Sequence, residues 1–257
     1  MTTKRKLKIG IQLHPQATTM AEMRAAWEAA DAMGVDSIFT WDHFYPLYGD
    51  SEASHFEGSS ILAAIAATTK QAQFGMLVSC NSYRNPELLA DMARTVDHIS
   101  GGRHILGVGA GWMERDYTEY GYHFGTAPER LRALGEALPR IKARLAKLNP
   151  APLGKLPILI GGTGPKVTLK LVAQYADMWN GFGTPAEAKA NCDIIDAHCK
   201  TVGRNPDDIE RSTLVMGEDD PVAYFNAGIT HVIYASGTPF NLDWVAKAID
   251  IRDRFNS

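Results

Sequence analysis

The sequence predicts an α/β protein folded as a single (β/α)8 barrel, the TIM-barrel architecture. Short apolar runs alternate with longer segments of helical periodicity, and this alternation is typical of parallel strands connected by helices. Eight strand–helix units fit into 257 residues, which is a usual size for this barrel. No Gly-x-Gly-x-x-Gly motif follows the first strand, which disfavours an open dinucleotide-binding sheet. Because no linker or low-complexity segment interrupts the pattern, residues 1–257 are expected to form one domain.

The first four units are bounded by recognisable helix caps. Gly34 follows the first helical pattern and predicts a left-handed C-terminal cap. The third helix carries Pro86 and Glu87 in its first turn, repeats apolar residues at helical spacing and stops at Gly101. The predicted strands are 8–13, 35–41, 74–79 and 105–108, and the predicted helices are 20–33, 58–69, 85–100 and 128–148.

The last four units repeat the same alternation. Pro165 is expected at the first position of the fifth helix, because its fixed φ angle suits a helix start. Gly203 ends the sixth helical pattern. The predicted strands are 158–160, 177–182, 212–216 and 231–235, and the predicted helices are 165–175, 185–202, 221–227 and 242–255.

Composition and charge disfavour several kinds of partner. The net charge is −3, and no basic stripe suggests a nucleic-acid partner. Cys80, Cys192 and Cys199 form no CxxC pair and are expected to be reduced thiols. No secretion signal or apolar run of membrane-spanning length is visible, so we expect a cytoplasmic protein without a membrane partner. The histidines are scattered, with no HxH pair or HExxH motif, so no metal site is predicted.

An acid and an imidazole end the second predicted strand. The stretch SIFTWDHFYP places Asp42 and His43 where the active site of a (β/α)8 barrel gathers, at the carboxyl ends of the strands. Once the strand has ended, the two side chains can diverge into one pocket and take part in acid–base chemistry. The alternative is an ordinary packed or surface histidine. His55 and Glu57, later in the same loop, are further candidates to line the site.

A glycine-rich turn follows the fifth predicted strand. In PILIGGTGPK a strand leads through glycines into a helix, and the free N–H groups of such a helix start can hold a phosphate. A lysine there adds a point charge. The alternative is a tight turn that uses glycine only for its backbone angles. The predicted residues of the phosphate site are Gly161, Gly162, Thr163, Gly164, Pro165 and Lys166.

Four segments together resemble a known family. They read WDHF, SYRNPELLADMARTVDHISGGR, ILGVGAGW and PILIGGTGPK. In combination they are similar to the luciferase-like flavin oxidoreductases, and most of all to the branch that uses coenzyme F420, a 5-deazaflavin. The match runs from about Gly10 through Asn180 and continues more loosely to the C-terminus. The resemblance implies a luciferase-like (β/α)8 barrel, in agreement with the independent count of strands.

The resemblance also implies roles for individual residues. Asp42 and His43 match an Asp-His pair beside the deazaflavin ring, where the histidine has an acid–base role and Asp42 would orient the ring or His43. Leu77-Val78 matches a non-proline cis peptide that supports the ring. Asn81 is implied to contact the ring, and Gly162, Thr163, Gly164 and Pro165 are implied to hold the phosphate. Gly109 is also predicted to bind the cofactor.

The chain departs from the sugar-phosphate dehydrogenases of this family. Leu47 stands where they have Trp, and Trp112 stands where they have an acidic residue. The stretch 180–184 lacks the basic residues that they use on the sugar phosphate. The segment 148–157 is short where many relatives carry a long insertion, so the pocket is more open or is covered by a partner chain, and a homodimer would fit. Glucose 6-phosphate is therefore not the expected substrate.

The resulting hypothesis is hydride transfer between coenzyme F420 and a small organic substrate, which is an alcohol, a carbonyl compound or an activated alkene. His43 would carry the accompanying proton. Three alternatives stay open. They are an FMN-dependent monooxygenase, a flavin- or deazaflavin-binding protein without catalysis, and an unrelated barrel isomerase or aldolase for a phosphorylated substrate.

Overall fold

A ring of parallel strands forms the centre of the computed structural model, which describes residues 5–257. Pairing runs in the order β3, β2, β1, β9, β8, β7, β6, β5, and the pairing of β3 with β5 closes the ring. β4 continues the line of β3, so the ring has eight positions, and the predicted (β/α)8 barrel is confirmed. The strands are β1 Lys8–Leu13, β2 Ser37–Thr40, β3 Gln73–Met76, β4 Ser79–Cys80, β5 His104–Gly109, β6 Ile158–Gly161, β7 Met178–Phe182, β8 Glu210–Val215 and β9 His231–Ser236.

Helices cover the outside of the ring. They are α1 Met20–Met33, α2 Gly58–Thr68, α3 Pro86–Ser100, α4 Glu114–Glu119, α5 Ala127–Leu145, α6 Thr168–Tyr175, α7 Pro185–Val202, α8 Pro221–Asn226 and α9 Asp243–Asn256, with a 3₁₀ turn at Pro206–Asp208. None of the helices between residues 5 and 257 has the length and apolar character needed to cross a membrane.

Two hydrophobic cores follow from strands that are buried on both faces. The inner core fills the barrel, and the outer core packs the strands against the helices. The inner core contains Phe39, Leu77, Ile105, Leu159, Met178 and Ile233. Their neighbours one residue before or after on the same strands, such as Ile38 and Ile160, point into the outer core. The barrel is therefore filled in its middle, and a ligand can enter only at an end.

Most predicted bounds shift by one to three residues, and three differences affect the elements around the site. The strand predicted over 74–79 divides into β3 and β4 around the Leu77–Val78 peptide, which is cis, as the resemblance implied. The helix predicted from Pro165 begins at Thr168, because Leu169 N–H donates to Gly164 O and the chain first makes one wide turn. The short helix α4 was not predicted.

A buried polar network lies at the amino-terminal end of the barrel, opposite the expected active face. His231 Nε2 lies 2.8 Å from Ser37 Oγ, and its Nδ1 lies 2.9 Å from Glu210 Oε1. Lys8 Nζ donates to the other oxygen of Glu210 at 2.6 Å. The order hydroxyl, imidazole, carboxylate is that of a nucleophilic triad. However, Ser37 and His231 are at most 1% exposed, and a Cβ at Gly10 would lie 2.9 Å from His231 Nε2, so the network has no room for a substrate.

This network predicts a loss of stability in acid. Burial alone would raise the pKa of Glu210, but the hydrogen bond and charge of His231 and the charge of Lys8 outweigh it and lower the pKa to about 2. A carboxylate with a depressed pKa stabilises the fold fully above its unfolded value, and this contribution disappears as the pH falls from about 4.5 toward about 2. Denaturant unfolding of the wild type and of Glu210→Gln should therefore differ by about 1–3 kcal/mol at pH 6. The difference should shrink below pH 4, and a constant difference would contradict this account.

Candidate active site

An open cleft of about 530 Å³ lies at the carboxyl ends of the strands. This is the active face of (β/α)8 barrels, and the volume is within the range usual for ligand sites. Residues from the loops after β2, β3, β4, β5, β6 and β8 line it together with residues of the strands themselves. Of the predicted site residues, the cleft is lined by Asp42, His43, Leu77, Val78, Gly109, Gly161 and Gly162.

His43 is held by a carboxylate that the sequence did not indicate. Its Nδ1 lies 2.6 Å from Asp116 Oδ2, and the Asp116 side chain is fully buried. The main-chain N–H of Phe44 donates to Asp116 Oδ1, and the hydroxyl of Tyr83 donates to Oδ2. Burial and the neighbouring Cys80 and Asp116 raise the pKa of Tyr83, so its hydroxyl stays protonated and remains a donor. The imidazole therefore has one fixed orientation, with Nδ1 held and Nε2 left for the cleft.

Asp116 comes from α4, which explains why sequence reasoning missed it. The helix has six residues, too few to show a repeated apolar period, and Asp116 is 73 positions from His43. The only signal in the sequence was a pair of acidic residues, Glu114 and Asp116, at the start of a short segment after ILGVGAGW.

Asp42 does not orient His43 by direct contact, which corrects that part of the prediction. Its carboxylate accepts two hydrogen bonds from the guanidinium of Arg84, at 2.5 and 2.9 Å, and one from Cys80 N–H at 2.9 Å. Glu57 caps α2 and also accepts from Arg84. Asp42 thus ties the loop after β2 to the segment after β4. Asp42 and His43 point apart because neighbouring residues of an extended chain point in opposite directions.

Two uncharged histidines pack around Trp41 at the wall of the cleft. His14 stacks on Trp41 with ring centroids 4.3 Å apart, and Trp41 Nε1 donates to His55 Nε2 at 2.9 Å. Burial lowers the pKa of His14 to about 4. Burial, with a smaller effect from His43, lowers the pKa of His55 to about 4 as well. Both rings are therefore neutral near pH 7 and bring no positive charge to the site.

The floor of the cleft is built around Val78. Gln12 Nε2 donates to Leu77 O at 3.0 Å, which fixes the main chain beside the cis peptide. The Val78 side chain lies against two glycines, since a Cβ at Gly109 would be 2.6 Å from Val78 Cγ2 and a Cβ at Gly161 would be 3.0 Å from Cγ1. Larger residues at either glycine would push Val78 into the cleft.

The glycine-rich loop lies at one edge of the cleft. Gly162 has a φ of +119°, which favours glycine, and its carbonyl accepts from Trp179 Nε1. The loop from Gly164 to Lys166 is exposed. In residues 5–257, the main-chain N–H groups of Thr163 and Gly164 have no acceptor, so they remain free to bind an anion. Thr163, Gly164, Pro165 and Lys166 do not line the cleft itself but continue from its edge.

Asn81 was also predicted to bind the cofactor. Asn81 is 8% exposed, does not line the cleft, and its Oδ1 is buried without a hydrogen-bond partner in the described part of the chain. Among the described residues, no group of three His, Cys, Asp or Glu side chains is arranged to hold a metal ion.

Comparison with known proteins identifies relatives over most of the chain. The sequence model of the family described as luciferase-like monooxygenase matches residues 6–247. A provisionally named coenzyme F420-dependent oxidoreductase of Mycobacterium tuberculosis is 30% identical, over 87% of this chain and 70% of the relative. An F420-dependent glucose-6-phosphate dehydrogenase of Microbacterium testaceum is 28% identical, over 70% of this chain and 59% of the relative.

A solved structure shares the fold. It is an F420-dependent secondary alcohol dehydrogenase in complex with an F420–acetone adduct, and it superposes with a TM-score of 0.83. The superposition covers 95% of this chain and 98% of that chain, at 18% sequence identity. At this identity the likeness extends to the fold alone.

Proposed function

Because the chain belongs to the luciferase-like monooxygenase family, we propose that it is an oxidoreductase that exchanges a hydride between coenzyme F420 and a small organic substrate. The observation that carries the proposal is His43, whose Nδ1 is held by the buried Asp116 while its ring lines the cleft. An imidazole fixed in this way can give or take one proton at Nε2.

The residues around the cleft fit such a coenzyme. The exposed glycine loop, with free N–H groups at Thr163 and Gly164, would hold its phosphate, and Lys166 would add a positive charge. The apolar floor at Leu77 and Val78 would support the ring, with Gly109 and Gly161 keeping Val78 in place. The list of proposed cofactor-binding residues is Leu77, Val78, Asn81, Gly109, Gly161, Gly162, Thr163, Gly164, Pro165 and Lys166.

The protein's own contribution is to orient and to move a proton. A bound deazaflavin supplies a carbon that takes up or releases a hydride. When an alcohol is oxidised, His43 Nε2 accepts the hydroxyl proton while the hydride leaves the carbon that carries this hydroxyl group. In the reverse direction His43 returns the proton to the carbonyl oxygen. Asp116 stabilises the imidazolium that forms, because its buried carboxylate lies 2.6 Å from Nδ1.

Asp116 is therefore a positioning residue, and Asp116→Asn should lower kcat by about tenfold with little change in coenzyme affinity. Tyr83→Phe is the matched control, since it removes one hydrogen bond to Asp116 but leaves the carboxylate on His43. Steady-state kinetics and coenzyme titration would test this, and an unchanged kcat in Asp116→Asn would show that the carboxylate has only a structural role.

Titration with coenzyme F420 and with FMN, followed by fluorescence, tests the choice of cofactor. The family description includes monooxygenases, so an FMN-dependent monooxygenase is the second candidate. Tight binding of coenzyme F420 and weak binding of FMN are expected. Preference for FMN would replace the proposal with the second candidate. Tight binding of coenzyme F420 without turnover of alcohols, ketones or enones would indicate a binding protein without catalysis.

A further inference from the structure

We propose that the substrate end of this cleft binds an uncharged, largely apolar alcohol or carbonyl compound and rejects carboxylated or phosphorylated ones. This substrate end is the part around His43, Leu47, Tyr48 and Trp112. The proposal rests on the proposed function for the identity of the reaction, but it is carried by residues other than those assigned to the coenzyme.

The first support is the absence of a cation from the lining. Among the described residues that line the cleft there is no Lys or Arg. Arg84 lies behind the wall and is paired with Asp42 and Glu57. Arg115, on α4 near the rim, donates to Glu52 and stacks over the Tyr45 ring at 3.9 Å. These two guanidinium groups therefore already have partners of their own.

His14 and His55 do not supply the positive charge that the lining lacks. His14 and His55 lie around Trp41, and the lowered pKa of each, about 4, leaves them neutral near pH 7. The carboxylates of Asp42 and Asp116 lie close by and are buried. An anionic group brought here would lose hydration and would meet no Lys or Arg in the lining. Neutral substrates face no such cost.

The second support is the apolar surface at the mouth. Tyr48, Trp112, Phe182 and Met216 are 54–61% exposed, and all four line the cleft. Large exposed apolar side chains grouped around a cavity are typical of a binding site. Trp112 lies edge-on to His43 with ring centroids 5.6 Å apart, so apolar surface borders the imidazole that would carry the proton. A hydrocarbon chain on either side of a carbinol or carbonyl carbon would cover this surface.

A matched pair of substrates tests the charge directly. Methyl 3-hydroxybutanoate and 3-hydroxybutanoate have the same carbinol and differ in one negative charge. With coenzyme F420 present, kcat/KM for the ester should exceed that for the acid by about tenfold or more. Equal values, or preference for the acid or for glucose 6-phosphate, would overturn the proposal while leaving the coenzyme assignment intact.

A change of charge at the rim of the cleft provides a second test of the substrate preference. Leu47→Arg should narrow the ratio between ester and acid, because it brings a cation to the substrate end, and Leu47→Met is the control of similar size. An unchanged ratio in Leu47→Arg would contradict the placement of the substrate beside Leu47.

A binding measurement without turnover tests the preference for uncharged ligands separately from the proposed reaction. Saturation-transfer NMR on the protein without coenzyme should detect the ester and not the acid, and Trp112→Ala should weaken the signal of the ester. If coenzyme F420 failed to bind, this arm would still decide whether the cleft prefers uncharged ligands. Equal signals from ester and acid would overturn the inference.

Discussion

Replacing His43 with Ala should lower kcat by about 10²- to 10⁴-fold, the usual contribution of a positioned acid–base group. The dissociation constant for the coenzyme should change little, because the phosphate loop and the floor at Leu77–Val78 are separate from the imidazole. Only His43 combines a ring nitrogen fixed by a buried carboxylate with a place in the lining of the cleft; His14 and His55 have no such partner among the described residues. Stopped-flow reduction of the coenzyme and fluorescence titration would measure the two quantities separately.

A second variant keeps this test decisive. His43→Ala leaves the buried carboxylate of Asp116 without one of its donors, which could disturb the loops around it. His43→Gln retains an N–H donor at about the same place but cannot carry a proton, so it should fold normally and lose turnover to a similar degree. His98→Ala, on α3, removes a histidine that does not line the cleft and should leave turnover unchanged. Turnover retained in His43→Gln would show that His43 is not the proton carrier.

Gly164→Asp should weaken coenzyme binding by about 10- to 100-fold, because it places a carboxylate beside the proposed phosphate. The added Cβ would lie 2.9 Å from Thr168 Oγ1, the end of a side chain that can turn away, so the fold should accept the change. The positive charge of Lys166 on the same loop is exposed and would compensate only partly. Fluorescence titration of the coenzyme measures the effect.

Gly164→Asn is the matched control for this variant. It has the same shape as Asp but no charge, so any loss of affinity that it shares with Gly164→Asp is steric. The difference between the two should decrease as salt is added, since an exposed charge is screened over about 10 Å at 0.1 M. If the Asp and Asn variants bound the coenzyme equally well, the phosphate would have to bind elsewhere. The loop would then be a tight turn that uses glycine only for its backbone angles.

The barrel was predictable because its signals are local. Glycines that stop helices need left-handed backbone angles, and Gly34, Gly101 and Gly203 have φ values of 82°, 72° and 72° in the structure. Apolar runs gave the strands, since parallel strands are buried on both faces. The bounds were less certain where a tertiary contact decides them, as at α6, which begins at Thr168 only after the turn closed by Gly164.

The partners in the site were not predictable from the sequence alone. His43 and Asp116 were separated by 73 positions and by several elements, and α4 was too short to be recognised. The resemblance implied that Asp42 orients the ring or His43, and in the structure its carboxylate accepts from Arg84. Distances along the chain carry no information on which carboxylate a loop will meet. The lowered pKa values of His14 and His55 likewise arise from burial by the folded loops.

The two carboxylates of the site also divide it into a hydrogen-bonded frame and a rim that can be altered by mutation. Asp42 fastens Arg84, and Asp116 fastens His43, Phe44 and Tyr83, so that the loops after β2, β4 and β5 are cross-linked into one unit. Phe182 and Met216, on the opposite side of the mouth, take part in neither set of bonds within residues 5–257. Directed evolution toward bulkier substrates can therefore begin at these two positions without loosening the frame that holds the proton carrier.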